Sequence, residues 1–163
     1  MGITVVRGTM LTGEYRNTID EKGRILIPSK VRAALNGDST LIITRAVENC
    51  LWLMTPGYFE KIRQKIMDGD GAMFNSQTRI LQRIIIGQAM ECEIDKSGRL
   101  LIPPQLRAKI NIELKQETVL LGISTYMELW SVPSYEQYLN ESEALFSQAS
   151  QDLSNQLYGE GRK

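Results

Sequence analysis

The pattern of apolar and polar positions divides the chain into two similar halves. GEYRNTID (13–20) reads as a strand running into a turn, and ILI (25–27) as a short buried strand. Pro28 ends that run and suits the first turn of a helix, where its missing N–H has no partner in any case. The spacing predicts a helix over Ser29–Leu35, with Val31 and Leu35 on one face and Asn36-Gly37 as its stop. Strands TLIITRA (40–46) and CLWLMT (50–55) follow. PGYFEKIRQKIM (56–67) then places Phe59, Ile62 and Ile66 on a helical stripe, and DGDG (68–71) breaks it. A second helical pattern, SQTRILQRIII (76–86), has Asn75 as its cap and Ile80, Leu81, Ile84 and Ile85 as its apolar face. The order then recurs: LLI (100–102) is a strand ended by Pro103, Pro104–Ile110 is a helix with Leu106 and Ile110 on one face, and TVLLGI (118–123) and MELWSV (127–132) are strands. A last helical pattern starts after Pro133, with Tyr135, Tyr138 and Leu139 on one side. It thins into a Ser/Gln-rich stretch, Ser147–Leu157, expected to fray or to serve in contacts.

The recurrence is written into the residues themselves. DEKGRILIPSKVRAAL from Asp20 returns as DKSGRLLIPPQLRAKI from Asp95. Ile19, Asp20, Gly23, Arg24, Leu26, Ile27, Pro28, Arg32 and Ala33 reappear at the matching positions of the second copy. Trp52 and Trp130 also occupy matching places. One such unit is too small to bury its own apolar strands. Two copies packed about a pseudo-twofold axis solve that problem.

Composition narrows the function classes. A chain of 163 residues, 42% apolar and 23% charged, is ordinary for a globular protein. It has no histidine, which removes the commonest general base and most transition-metal sites. Cys50 and Cys92 form no CxxC pair, so neither a metal site nor a disulfide framework is expected, and the chain reads as cytosolic. No apolar run approaches a membrane span, and MGITVVRGTML is a poor signal peptide. Net charge is zero and the pI is near 6.4. The distribution is uneven, however. Arg16, Lys22, Arg24, Lys30 and Arg32 face only Asp20 and Glu21 between Tyr15 and Arg32, whereas acids dominate after Ser134.

The polar part of the repeat is its candidate chemistry. Both turns, DEKG and DKSG, keep an Asp and an Arg four residues apart: Asp20 with Arg24, Asp95 with Arg99. Asp accepts bonds from backbone N–H groups just ahead of it, and Gly takes φ > 0 at the end of a short hairpin loop. Arg presents a planar fork of donors suited to phosphate or to the edge of guanine. Lys22 and Lys96 add charge near the tips. The residues alone leave two readings open, a nucleic-acid contact and a structural Asp–Arg pair.

MLTGEYRNTIDEKGRILIP (10–28), NSQTRILQRIIIGQAMECEID (75–95) and ECEIDKSGRLLIPPQLR (91–107) resemble the MraZ family, part of the wider AbrB/MazE-like (SpoVT-AbrB) group of DNA-binding proteins. The resemblance spans nearly all of 10–140. It implies an α+β fold in which two AbrB-type swapped-hairpin β units form an intramolecular pseudo-dimer barrel with flanking helices. The units would be 13–58 and 89–134, joined by connecting helices at 59–88, with an N-terminal extension at 1–9 and a C-terminal helix and acidic tail at 135–163. It further implies a cytoplasmic, nucleoid-associated, non-enzymatic regulator of the bacterial division and cell-wall gene cluster. Such a regulator assembles as a ring-shaped homo-oligomer on direct repeats in double-stranded promoter DNA. No cofactor, small-molecule substrate or membrane partner is implied. The family's DNA-contacting role carries onto Asp20, Arg24, Asp95 and Arg99, with Lys22, Lys96 and Arg16 as further candidates and Arg32 less firmly placed. Arg107 reads as a helix residue packing or pairing within its unit. Residues 1–9 precede the family's usual start, and Ser97 stands where the first loop has Lys22, for which Lys96 partly compensates; if the loops are unequal, the first is the better source of affinity.

Two rivals follow from the same residues. Asp20 and Asp95 could form a catalytic carboxylate pair across the pseudo-axis, which would require a raised pKa. Alternatively the chain could be an antitoxin, with the acidic tail as its binding arm, although antitoxins of this group carry one copy of the unit.

Overall fold

The computed structural model describes residues 10–69 and 71–159. The extension at 1–9, Asp70 of the DGDG break and the last four residues of the acidic tail lie outside them. Residues through Ser131 form one compact unit, and the segment from Val132 onward forms a second.

In the first unit the elements run β1 (Leu11–Thr18), β2 (Arg24–Leu26), α1 (Ser29–Ala34), β3 (Thr40–Arg45), β4 (Leu51–Met54), α2 (Pro56–Met67), α3 (Ser76–Leu81), β5 (Met90–Glu93), β6 (Arg99–Leu101), α4 (Pro104–Lys109), β7 (Glu117–Ser124) and β8 (Tyr126–Ser131). A 3₁₀ turn, Ala72–Phe74, precedes α3, and a π-helical turn, Gln82–Ile86, extends it. The fold is α+β with an antiparallel main sheet.

Every paired strand of the first repeat touches the second. The main sheet has the order β1-β7-β8-β4-β3-β5, and β2 pairs with β6 in a small separate ribbon. Exchanging each strand for its repeat partner returns the same order reversed, as a pseudo-twofold axis requires. β1 runs antiparallel to β7 from Leu11 opposite Ser124 to Thr18 opposite Glu117, and β5 runs against β3. The strands on either side of each D-x-x-x-R loop therefore lie in different sheets. The turns do not join simple hairpins.

The core explains this exchange. Ile19, Ile25, Ile27, Leu100, Ile102 and Leu106 are almost wholly buried and belong to one cluster with Leu41, Ile43 and Leu129. The ILI and LLI runs, expected to be buried throughout, are buried only at alternate positions: Leu26 is 37% exposed and Leu101 50%. In a two-stranded ribbon successive side chains point to opposite faces, and only one face meets the core.

The first short helix stops where Asn36-Gly37 predicts, and the second stops in the same way. Asn36 and Asn111, at matching positions, both take the left-handed conformation just past α1 and α4. The Asn75 side chain accepts a bond from the Thr78 N–H at 3.0 Å and caps α3. Phe59, Ile62 and Ile66 of α2 are only half-buried. Cys50 and Cys92 are free thiols.

The second unit is one helix, α5 (Val132–Tyr158). The stretch expected to fray, Ser147–Leu157, continues it without a break. It contains no Gly or Pro, and pairs one turn apart bridge its polar side: Gln148 to Asp152 at 2.9 Å and Gln151 to Asn155 at 3.0 Å. Among the described residues, no helix is long and apolar enough to cross a membrane.

Candidate nucleic-acid interface

Each D-x-x-x-R loop is closed by its own aspartate. In the first, the Asp20 N–H donates to the Arg24 carbonyl at 2.9 Å and the Gly23 N–H to the Asp20 carbonyl at 3.0 Å. The Asp20 Oδ1 then accepts from the Lys22 and Arg24 backbone N–H groups, both at 2.9 Å. The second loop repeats this scheme. Asp95 N–H donates to the Arg99 carbonyl at 2.8 Å, and Asp95 Oδ1 accepts from the N–H of Ser97 at 2.9 Å and of Arg99 at 3.0 Å. Gly23 and Gly98 close the turns with φ of +84° and +82°, a conformation costly to any residue with a Cβ.

The loops are stitched to each other. The Ile27 N–H donates to the Gly98 carbonyl at 2.8 Å, and the Ile102 N–H to the Gly23 carbonyl at 2.9 Å. This brings the four conserved-in-repeat side chains into one cluster. Arg24 Nη1 lies 3.8 Å from the Asp95 carboxylate, and Arg99 Nη1 lies 3.8 Å from that of Asp20. Those separations are ionic but too long for hydrogen bonds. The arginines are a third or slightly more exposed, at 33% and 38% of the side chain. They are neither sealed in the core nor free-standing.

The cis contacts differ between loops. Arg24 Nε donates to Asp20 Oδ2 at 2.8 Å. In the second loop the Ser97 hydroxyl donates to Asp95 Oδ1 at 2.6 Å instead. The Asp20 carboxyl is held below the usual range chiefly by the Arg24 backbone N–H, helped by the Arg24 side chain and the Lys22 N–H. The Asp95 carboxyl is held down chiefly by the Ser97 hydroxyl, then by the Arg99 N–H. Both are ionised braces at neutral pH. The raised pKa that a catalytic pair would need is found at neither.

Two further arginines sit on the loops, and each comes from the opposite repeat. A Cβ placed on Gly98 would lie 2.7 Å from the guanidinium carbon of Arg32, and one on Gly23 would lie 3.7 Å from Arg107 Nε. Arg32 Nε also donates to the Ile27 carbonyl at 3.1 Å. Arg107 thus packs across the pseudo-axis, beyond its own unit. The recurrence of Arg at 32 and 107 is the sequence signal for this layer, but not for its crossing.

The remaining candidates are distributed unevenly. Lys22 and Lys96 are exposed on the two loops. Arg16 lies on β1, where Glu14 at 3.5 Å and Glu117 at 3.8 Å engage its guanidinium. It is not part of the Asp–Arg cluster.

Known proteins place this arrangement in a family. A family model described as "MraZ protein, putative antitoxin-like" matches residues 10–83 and again 85–156, so each match contains one loop. A protein of Treponema denticola named transcriptional regulator MraZ is 45% identical over 143 residues, 88% of this chain and 96% of the relative. Proteins of the same name from Treponema pallidum (strain Nichols) and Caldanaerobacter subterraneus are 36% and 34% identical, covering 87% and 90% of this chain and 93% and 98% of their own lengths. With both copies of the model matched and each loop accounted for, the chain belongs to the MraZ family.

Proposed function

We propose that this chain is a DNA-binding transcriptional regulator, and that the joined D-x-x-x-R loops are its contact with the duplex. The observation that carries the reading is the cross-braced cluster of Asp20, Arg24, Asp95 and Arg99. Each aspartate is occupied by its own loop's N–H groups, so it fixes the backbone and leaves the arginines' terminal N–H groups for a ligand. Arg24 commits only Nε to Asp20. Its remaining fork suits phosphate or the O6/N7 edge of guanine. Lys22 and Lys96 supply point charges that position the loops on the backbone. Arg16 contributes at the margin, because DNA must compete with two carboxylates for it.

The same reading extends to architecture. The exchanged strands support an intramolecular pseudo-dimer of AbrB-type units, 13–58 and 89–134, closing into a small barrel, with 59–88 as connector and 135–163 as C-terminal helix and tail. One cluster carries few charges, and each phosphate contact is eroded by salt. A ring of copies engaging successive direct repeats raises the effective concentration of every further loop. The target is promoter DNA of the division and cell-wall gene cluster, and the site of action is the cytoplasm, at the nucleoid.

Binding of the purified protein to labelled DNA from upstream of its own gene, titrated with salt, tests this. Tight binding whose logarithm falls steeply with log salt, as several protomers acting together require, is expected. Equal affinity for that DNA and a scrambled duplex overturns the specific reading. A slope equivalent to one contact overturns the multivalent one.

A further inference from the structure

The face of the main sheet turned away from the core cluster carries a group of side chains that the loops do not use. Leu51, Leu53, Met127 and Leu129 of β4 and β8 are fully buried in that cluster. Alternation therefore puts Trp52, Glu128, Trp130 and Cys50 together on the opposite face. Leu51 pairs with Leu129, its own counterpart in the repeat, and the pseudo-axis passes through that pair. Cys50 and Glu128 are counterparts too, and meet across the axis. The Cys50 sulfur and one carboxylate oxygen each from Glu128 and Glu48 all lie within 4.8 Å of one another. Spacing along the chain conceals this set, because strand pairing assembles it.

The donors match a borderline-soft divalent cation. Zn²⁺ accepts one thiolate and two carboxylates, whereas Mg²⁺ and Ca²⁺ take oxygen alone. Cys50 is wholly buried, and the charges that act on its thiol among the described residues, Glu128 and Glu48, are both acidic. Burial first, then these neighbours, push the thiol up, and burial and Glu48 push the Glu128 carboxyl up. Protons thus stand where one divalent ion would neutralise the same charge. The surroundings suit a ligand shell. Trp130 Nε1 donates to Glu128 Oε1 at 3.2 Å and orients the carboxyl. Trp52 Nε1, on the residue directly opposite Glu128, is buried and reaches no acceptor among the described residues. A carboxylate held ionised by a cation supplies one. Tyr126 packs edge-on to Trp52 at 6.1 Å and stacks with Tyr58 of α2 at 6.0 Å, which walls the group with aromatic rings.

We infer that Cys50, Glu128 and Glu48 form a Zn²⁺ site, with solvent in the fourth position. The ion ties the turn before β4 in the first repeat to β8 in the second. Tetrahedral Zn²⁺ draws sulfur and oxygen ligands to about 3.5 Å apart. Glu48, which solvent reaches, swings in to close the gap and gives the ion its way in.

The test uses the full chain stripped of metal by chelation, with Co²⁺ as optical probe and Zn²⁺ as competitor. Wild type is expected to bind one Co²⁺ per chain with a sulfur-to-cobalt band in the near ultraviolet. Zn²⁺ should erase that band and raise Tm. Cys92→Ser should keep both responses, and Cys50→Ser should lose them. Glu48→Gln should keep the metal-free melting curve and lower Zn²⁺ affinity at least about tenfold; it carries the test should Cys50→Ser not fold. A wild type with no band and no Zn²⁺-dependent Tm overturns the site. A band that survives in Cys50→Ser, or vanishes in Cys92→Ser, overturns the assignment of the sulfur, and unchanged Zn²⁺ affinity in Glu48→Gln overturns the three-ligand set. None of these readings depends on DNA binding.

Discussion

The two D-x-x-x-R loops share a backbone and differ in how they hold their arginine. In the first loop Asp20 uses one oxygen on backbone N–H groups and the other on Arg24, so backbone and guanidinium are fixed together. In the second, Ser97 takes the bond that keeps Asp95 occupied, and the guanidinium of Arg99 answers mainly to Asp20 of the first loop at 3.8 Å. Each tip carries one lysine, Lys22 in the first loop and Lys96 in the second, but the first also carries Glu21, so the loops differ in how the arginine is held and not in an excess of positive charge on the first. Duplication has thus preserved the turn and divided the labour. One arginine is held in place before a ligand arrives, and the other has more freedom to adapt. A preorganised group loses less entropy on binding.

That contrast can be broken most sharply at the arginines. Arg24→Ala should weaken binding to the gene's own upstream DNA about 10- to 100-fold, the value of one good base or phosphate contact, and Arg99→Ala by clearly less. Fluorescence anisotropy at fixed salt reads both, and equal losses would mean that preorganisation is irrelevant. The glycines come next. Gly23→Ala and Gly98→Ala both force a side chain into the left-handed region, at roughly 1–2 kcal/mol. Gly98→Ala should lower Tm only slightly further: its Cβ would lie 2.7 Å from the flexible end of Arg32, which can swing aside at the cost of its bond to the Ile27 carbonyl, whereas the nearest atom to a Cβ on Gly23 is 3.6 Å away.

Acid separates the loops in a third way. Both aspartates have folded pKa values below the ordinary Asp value of about 3.9. Their stabilisation is fully present above that value and is lost as pH falls through the depressed ones. Asp20→Asn and Asp95→Asn should each flatten the acid limb of Tm against pH. Asp20→Asn should do so more, since it alone loses a charge-assisted bond to a guanidinium in its own loop. The smallest change is a gain: Ser97→Lys puts a second lysine beside Lys96 on the second tip. It should raise DNA affinity a few-fold and steepen the salt slope by about one for each loop engaged.

Much of this molecule was legible in its residues. Pro28 and Pro103 marked the starts of α1 and α4, Asn36 the end of α1 and Asn75 the start of α3, and the repeated Asp and Arg pointed to the loops. Strand partners were not legible. Leu11 lies opposite Ser124 and Leu41 opposite Cys92, and no local pattern distinguishes a strand that pairs with its neighbour from one that pairs with its copy. The ILI and LLI runs misled because apolar residues at 26 and 101 face outward from a ribbon that lies on the core by one face only. The Ser/Gln-rich end of α5 misled because composition hides the bonds between residues one turn apart that hold it helical. At the site, the same blindness to long-range pairing concealed the crossing of Arg32 and Arg107 onto each other's turns and the ion pairs between the loops.

The most direct measurement is made on Arg24→Ala/Arg99→Ala, with DNA affinity and Tm read on the same preparation. The arginines meet the aspartates at a partly exposed surface, where ion pairs add about 1 kcal/mol or less each. Removing both should therefore leave Tm within a few degrees of wild type while specific binding is lost altogether. A double variant that still binds the upstream DNA as wild type does, or one that fails to bind only because it no longer folds, would contradict the assignment of the joined loops as the surface that grips the duplex.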